Sequence, residues 1–236
     1  ESSSVWAANE PTVMCRKRMK VYKYLPKKYV SSFVDQGLML FWSLSYFRDY
    51  EDQIRGDQYE GTKKFQPKVG LQITKSTGEQ FYMQTSFESS VQADDIFVFC
   101  TSEVCCKELA IEFDATICVE IDLDSFVSKL KAALIPIQKV LKKEIFHKTV
   151  EYYSETKPPI VDWALPDKII MSKLECFQKQ KEYRFSFCFG DVLNVGNTTQ
   201  RFGSSSSSGP FRSSDYPKQE LRLGNMKDYC KIHKFT

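Results

Sequence analysis

Histidine is scarce in this chain: His147 and His233 are the two present, too few to suggest a zinc centre. No stretch approaches the ~20 apolar residues of a membrane span, so the sequence reads as a soluble protein without a membrane partner. The opening residues ESSSVWAANEP lack the basic-then-apolar pattern of a secretory leader. There is no GxGxxG turn, no P-loop, no GxSxG elbow and no internal repeat, which disfavours several familiar enzyme classes. Net charge is low too, and +3 is too small to argue for a nucleic-acid partner. Its distribution says more. Arg16, Lys17, Arg18, Lys20, Lys23, Lys27 and Lys28 follow one another with no acid between them, as a solvated basic tail or a polyanion contact. The eight cysteines form no CxxC pair and show no metal-ligand spacing. Most sit in apolar runs such as FVFC, ATICVEI and FSFCF, where a thiol behaves as a small hydrophobe. A reducing, cytoplasmic setting suits that usage.

What the chain does have is aromatic residues, 18 Phe and 12 Tyr, which suit a β-rich core. Its 236 residues fit one domain. Residues 1–18 read as a loose basic arm and 19–236 as a single α+β domain with a low-complexity loop at 198–214. That loop holds the Ser204–Ser208 run, either natural or an engineered linker. The stretch from Val21 to Gly61 organises the reading. Val21–Leu25 is β-forming, and Pro26 can start a helix whose apolar face is Tyr29, Val30, Phe33 and Val34. Gly37 sits where its cap belongs. Leu38–Phe47 is apolar enough for a second buried strand. Behind it come Arg48, Asp49, Glu51, Asp52, Arg55, Asp57 and Glu60, a crowd of charge that a buried strand does not require.

Further along, Leu71–Thr74 and Gln80–Thr85 predict a hairpin about Gly78, and Ile96–Thr101 a central strand. Ile111–Phe113 and Ile117–Ile121 predict a strand pair. A helix follows, capped by Asp122 or Asp124 and faced by Phe126, Val127, Leu130, Ala133 and Leu134, with Val140–Phe146 continuing it beyond Pro136. Lys148–Tyr153 reads as a strand, Trp163–Phe177 as weakly helical, and Gln178–Phe189 as polar and then strongly β-forming. Gln219–Phe235 reads as a strand and a short helix. Strands interleaved with short helices, without βαβ regularity, predict an α+β fold with a mixed or mainly antiparallel sheet.

Three places combine reactive residue types with strand ends. Lys23 lies between Tyr22 and Tyr24, which share the opposite strand face. Cys100-Thr101-Ser102 follows the apolar IFVF. Gln180 and Glu182 lead into YRFSF and, if both are on a strand, project to one side about 7 Å apart. Each alone has a plain structural reading: an edge lysine, a strand running out into a turn, a cross-strand ion pair.

Together they resemble the mono-ADP-ribosyltransferases of the Arg–Ser–Glu type. The resemblance implies that Lys23, with Tyr24, holds NAD phosphate or ribose. It implies that Thr101 and Ser102 brace the nicotinamide pocket, a role for which Ser43 and Ser45 compete. Glu182 would stabilise the cationic sugar as nicotinamide leaves, and Gln180 would orient the acceptor, with NAD as substrate. Arg48, Asp49, Arg55, Asp57 and Glu60 would then bind substrate. Lysine in place of arginine gives up the bidentate fork suited to phosphate. Over most of its length the chain also resembles a widespread bacterial domain family that opens with Tyr-[Arg/Lys]-Tyr and carries a late Glu-[Tyr/Trp]-Arg strand. Tyr22-Lys23-Tyr24, Phe47 with Asp49 and Glu51, and Glu182-Tyr183-Arg184 are the matching residues.

The transferase resemblance implies a toxin, effector or anti-phage role, a nucleic-acid base or protein side chain as acceptor, and a neutralising partner protein. It expects Lys23 and Glu182 to face one cleft, and a Glu182→Ala chain to fold without turning over NAD. Two other readings stand beside it. A metal-dependent nuclease or phosphodiesterase would gather Mg²⁺ on Asp49, Asp57, Glu60 and Glu182. A non-enzymatic binding module would tolerate Glu182→Gln.

Overall fold

The computed structural model describes residues 18–49, 56–203 and 215–235. The chain opens with β1 (Lys20–Leu25), α1 (Val30–Val34), β2 (Leu38–Ser43) and α2 (Leu44–Asp49). Two small antiparallel units follow, built from β3 (Thr62–Phe65), β4 (Leu71–Thr74), β5 (Gln80–Met83) and β6 (Phe87–Ser90). Next come β7 (Ile96–Ser102), α3 (Lys107–Glu112), β8 (Ile117–Asp122) and α4 (Leu123–Leu134). The second half holds β9 (Phe146–Thr149), β10 (Glu151–Tyr153), α5 (Pro166–Ile170), β11 (Ser172–Leu174) and β12 (Glu182–Cys188). It closes with β13 (Thr199–Phe202), β14 (Lys218–Arg222) and β15 (Cys230–Lys234).

The result is an α+β fold about an eight-stranded antiparallel sheet, with β10 and β11 forming a separate parallel pair. β7 is its hub. β12 pairs with it from Glu182↔Ser102 to Cys188↔Ile96. The opposite edge of β7 is shared: β2 pairs there at Phe97 and Val98, and β1 at Ser102. Among the described residues no strand pairs with that edge along residues 99–101, so the sheet divides between β1 and β2. A core lies on each face. One gathers Phe41, Phe99, Phe126, Phe185 and Phe187, with α4 packed over it by Leu123, Phe126, Leu130 and Leu134. The other gathers Leu44, Ile96, Val98, Ile169, Ile170 and Cys188. α4 starts where the sequence places a cap, since Asp122 Oδ1 accepts from Ser125 N–H at 3.0 Å.

Several elements differ from expectation. Leu38–Phe47 is strand only to Ser43 and then turns into α2, because an apolar run alone does not distinguish a buried strand from a buried helix. Ile111–Phe113 forms no strand: Ile111 is in α3 and 71% exposed, and β8 pairs with β1 and β15 instead. Residues 140–145 form no helix, and Lys148–Tyr153 breaks into β9 and β10 around the buried Val150. Helix in Trp163–Phe177 is limited to α5 and the start of a 3₁₀ turn at Glu175–Gln180, with β11 between them. The low-complexity tract begins with β13, which pairs with β6, while Ser204–Ser208 lies outside the described residues. The C-terminal stretch holds a strand and a short 3₁₀ helix (Lys227–Tyr229), and a second strand follows them: β14 lies on β2, β15 on β8.

Gly37 is the sharpest backbone requirement. Its φ is +63°, and a Cβ there would stand 2.3 Å from the Gly224 carbonyl oxygen, where Leu223 N–H bonds to Gly37 O. Gly37→Ala combines left-handed strain with a backbone clash, and should cost more than about 2 kcal/mol in chemical denaturation. Gly78, also at positive φ but with open space around it, should lose only about 1 kcal/mol on the same change.

Candidate functional site

Where β1 and β2 part, a cavity of ≈ 480 Å³ opens through the sheet. Its walls take side chains from both cores, Phe33 and Phe99 from one and Val98 and Phe47 from the other. Lys23, Tyr24, Thr101, Ser102, Gln180 and Glu182 all line it. Register explains how. Tyr22 pairs with Ser102 and Ser102 with Glu182, so these three share one sheet face, while Lys23 lies on the other. The gap in the sheet lets Lys23 and Glu182 reach the same space from opposite faces.

Lys23 closes part of that gap. Its Nζ donates to the Cys100 carbonyl at 2.7 Å and sits 4.3 Å from the centre of the Phe99 ring. Tyr24 turns to the loop after β7, donating to Val104 O and accepting from Cys106 N–H, both at 2.9 Å. The two hydroxyls expected to brace the pocket join β7 to β12. Thr101 Oγ1 donates to Tyr183 O and Ser102 Oγ to Gln180 O, each at 2.8 Å. Ser43 and Ser45 bond to each other at 2.8 Å, are buried and do not line the cavity.

Gln180 and Glu182 do not follow one strand. Gln180 ends a 3₁₀ turn, Lys181 is left-handed at φ 45°, and Glu182 begins β12. The turn nonetheless aims both at a buried lysine. Lys173 Nζ donates to Gln180 Oε1 at 3.1 Å and to Glu182 Oε2 at 3.4 Å, and lies 3.9 Å from Glu60 Oε1. Arg184 completes the cluster. Its Nε bonds Glu182 Oε1 at 2.7 Å, its Nη1 and Nη2 grip Glu60 at 3.0 and 2.8 Å, and Nη1 also donates to Ile170 O. Arg184 is 1% exposed and Lys173 4%, so both charges depend on these partners.

Desolvation opposes the Glu182 charge, but Arg184, Lys173 and the Cys100 thiol hold its carboxyl down to about 2. It is ionised at neutral pH. The neighbouring Cys100 thiol is pushed up to about 12 by burial and then by Glu182, and stays protonated. This burial revises the expectation for Glu182→Ala: removing the carboxylate leaves Arg184 and Lys173 short of counter-charge, so the fold would be weakened along with any activity.

The charged stretch behind β2 has mainly a supporting role. Arg48 Nε and Nη2 both donate to Glu60 O, at 2.9 and 2.7 Å, fixing the residue that grips Arg184. Asp49 accepts from the Tyr216 hydroxyl at 3.1 Å. Asp57 is buried and caps its own turn by accepting from Tyr59 N–H. Of these residues only Glu60 lines the cavity. Arg55, Glu51, Asp52 and most of the basic arm lie outside the described residues. The carboxylates proposed to gather Mg²⁺ are not assembled for it. Asp49 is turned to Tyr216, Glu60 and Glu182 are matched to cations, and among the described residues no three His, Cys, Asp or Glu side chains form a metal-holding group.

Asp57 provides a pH signature. Burial first and Glu60 second push its carboxyl up to about 6. An unfolded aspartate titrates near 3.9, so the folded chain binds this proton more tightly, and stability falls as pH rises from about 4 to about 6. Asp57→Asn keeps the acceptor for Tyr59 N–H without the charge. It should gain about 2 kcal/mol in urea denaturation at about pH 8 and nothing at about pH 4.

Sequence reasoning missed Lys173 and left Arg184 without a role. A signal existed for the second. Along β12, Glu182, Arg184 and Ser186 recur at every other position of an otherwise apolar strand and are all buried. A period-2 polar stripe inside a core strand marks an internal network. Lys173, between Ser172 and Leu174, offers no such pattern. No protein-family model, curated protein or solved structure matches the chain.

Proposed function

We propose that this chain is an NAD-consuming transferase of the ADP-ribosyltransferase type, which breaks the nicotinamide–ribose bond and passes ADP-ribose to an acceptor. One observation carries the reading: Lys23, Thr101, Ser102, Gln180 and Glu182, from three separate stretches of sequence, line one cavity. At ≈ 480 Å³, with aromatic walls and a few polar groups at its base, the cavity has the character of a small-molecule site.

In this reading Glu182 is the catalytic carboxylate. Leaving of nicotinamide puts positive charge on the ribose, and an ionised carboxylate already fixed beside it stabilises that charge without reorganising. Arg184 and Lys173 set its position, and Gln180 lies beside it to orient the acceptor. Lys23 is the cation at the opposite side of the cavity, suited to a phosphate or ribose oxygen. Thr101 and Ser102 hold the β7–β12 seam that carries Glu182. The acceptor is a nucleic-acid base or a protein side chain, and the activity suits a toxin, effector or anti-phage protein controlled by a neutralising partner.

The test is incubation of the purified chain with labelled NAD and a cell lysate, following nicotinamide release and label on protein, RNA and DNA. Nicotinamide release with label on one of these classes, insensitive to chelator, is expected. Neither release nor label would sink the reading.

A further inference from the structure

The mouth of the cavity carries two aromatic rings, each with a lysine set over it. Tyr29 ends the 3₁₀ turn after β1, lines the cavity and is 50% exposed, and Lys28 Nζ lies 4.9 Å from its ring centre. Trp42 on β2 also lines the cavity, is half-buried, and stacks on Tyr46 at 4.2 Å. Its cross-strand neighbour on β14 is the exposed Lys218, whose Nζ lies 5.2 Å from the indole centre. Register puts this second pair on the working face of the sheet. Lys218 pairs with Trp42 and Trp42 with Val98, and Val98 shares its face with Ser102 and Glu182. Lys27, exposed beside Lys28, adds a further cation. The acids nearest the Trp42 pair have partners of their own: Glu220 is held by Arg222, and Asp49 by the Tyr216 hydroxyl.

We propose that this mouth binds a single strand of nucleic acid, its bases against Tyr29 and Trp42 and its phosphates on Lys28 and Lys218, and that the strand is the acceptor. Aromatic faces interleaved with cations suit a chain that alternates flat bases with charged phosphates. An acidic peptide would satisfy the lysines but bring no flat group to the rings. A basic peptide would be repelled. In a duplex the base faces are buried against one another, so a single strand is the form that presents both features.

The acceptor role rests on the transferase reading, whereas the binding surface stands without it. In the transfer, a base nitrogen forms a bond to the anomeric carbon of the ribose. The bond to nicotinamide breaks, its electron pair leaves with neutral nicotinamide, and the proton on the attacking nitrogen passes to solvent.

Binding is read without NAD, as the fluorescence anisotropy of a short labelled mixed-sequence DNA strand, the same sequence as RNA, and the DNA annealed to its complement. Either strand should bind more tightly than the duplex. Tyr29→Ala should weaken strand binding about 10-fold, the effect of losing one base–aromatic stack. Lys28→Gln with Lys218→Gln should weaken it too, and should flatten the slope of log affinity against log salt by about 1.4, for two phosphates released. All three side chains are exposed, and circular dichroism checks that the variants are folded. No strand binding, a duplex bound as tightly, or variants that bind as the wild type does would each overturn the proposal, the last by placing the strand elsewhere. Labelled NAD then separates the two readings. Nicotinamide release with label on protein alone would overturn the acceptor assignment and leave the transferase standing. Strand binding without nicotinamide release would overturn the acceptor role together with the transferase, and support the binding surface alone.

Discussion

Arg184→Met should remove 3–5 kcal/mol, by the ~3–5 kcal/mol typical when one member of a buried ion cluster is deleted, and leave the chain marginally folded. The methionine fills much of the space, so the loss is electrostatic rather than a cavity. Glu60 and Glu182 are each buried against this guanidinium, and Ile170 O loses its donor as well. Lys173 alone cannot balance both acids, being 3.9 Å from Glu60 and 3.4 Å from Glu182. Urea denaturation of the wild type and Arg184→Met measures the loss. Adding Glu60→Gln to Arg184→Met removes one stranded charge and should recover about 1–2 kcal/mol of it. A single variant as stable as the wild type would mean that Glu60 and Glu182 do not depend on Arg184.

The second large effect falls on the proposed chemistry. Glu182→Gln should lower NAD turnover about 10³-fold, the upper range for loss of one preorganised charge-stabilising group. The amide still accepts from Arg184 Nε and fills the same volume. Asp57, buried near the same cations, supplies a remaining negative charge, so the variant should stay folded. Glu182→Ala offers neither acceptor nor volume and would confuse inactivity with instability. Nicotinamide release measured beside a thermal melt separates the two. A folded Glu182→Gln chain with wild-type turnover would remove Glu182 from the chemistry.

What the sequence made legible was local. β1, β7, the β4–β5 hairpin, the Asp122 cap and α4 all follow from period, propensity and capping, which act within a few residues. The switch at Leu44 from strand to helix was not legible, since LFWSLSYF is apolar at either period. The candidate residues could be named, but not their neighbours. Arg184 meets Glu60 across 124 residues, and only the completed sheet brings them together. The seven-ångström spacing expected of Gln180 and Glu182 assumed a continuous strand. Left-handed Lys181 replaces that strand with a corner, and the corner gives both side chains a shared ammonium.

The division of the sheet at residues 99–101 carries a mechanical consequence. A main-chain carbonyl in the middle of a sheet ordinarily answers to another main chain, whereas Cys100 O is served by the tip of a long, rotatable side chain. Such a closure can be undone by one rotamer change, with no strand peeled away. An anionic guest that drew Lys23 toward itself would exchange one acceptor for another, so that admission of the guest and loosening of the seam become a single event.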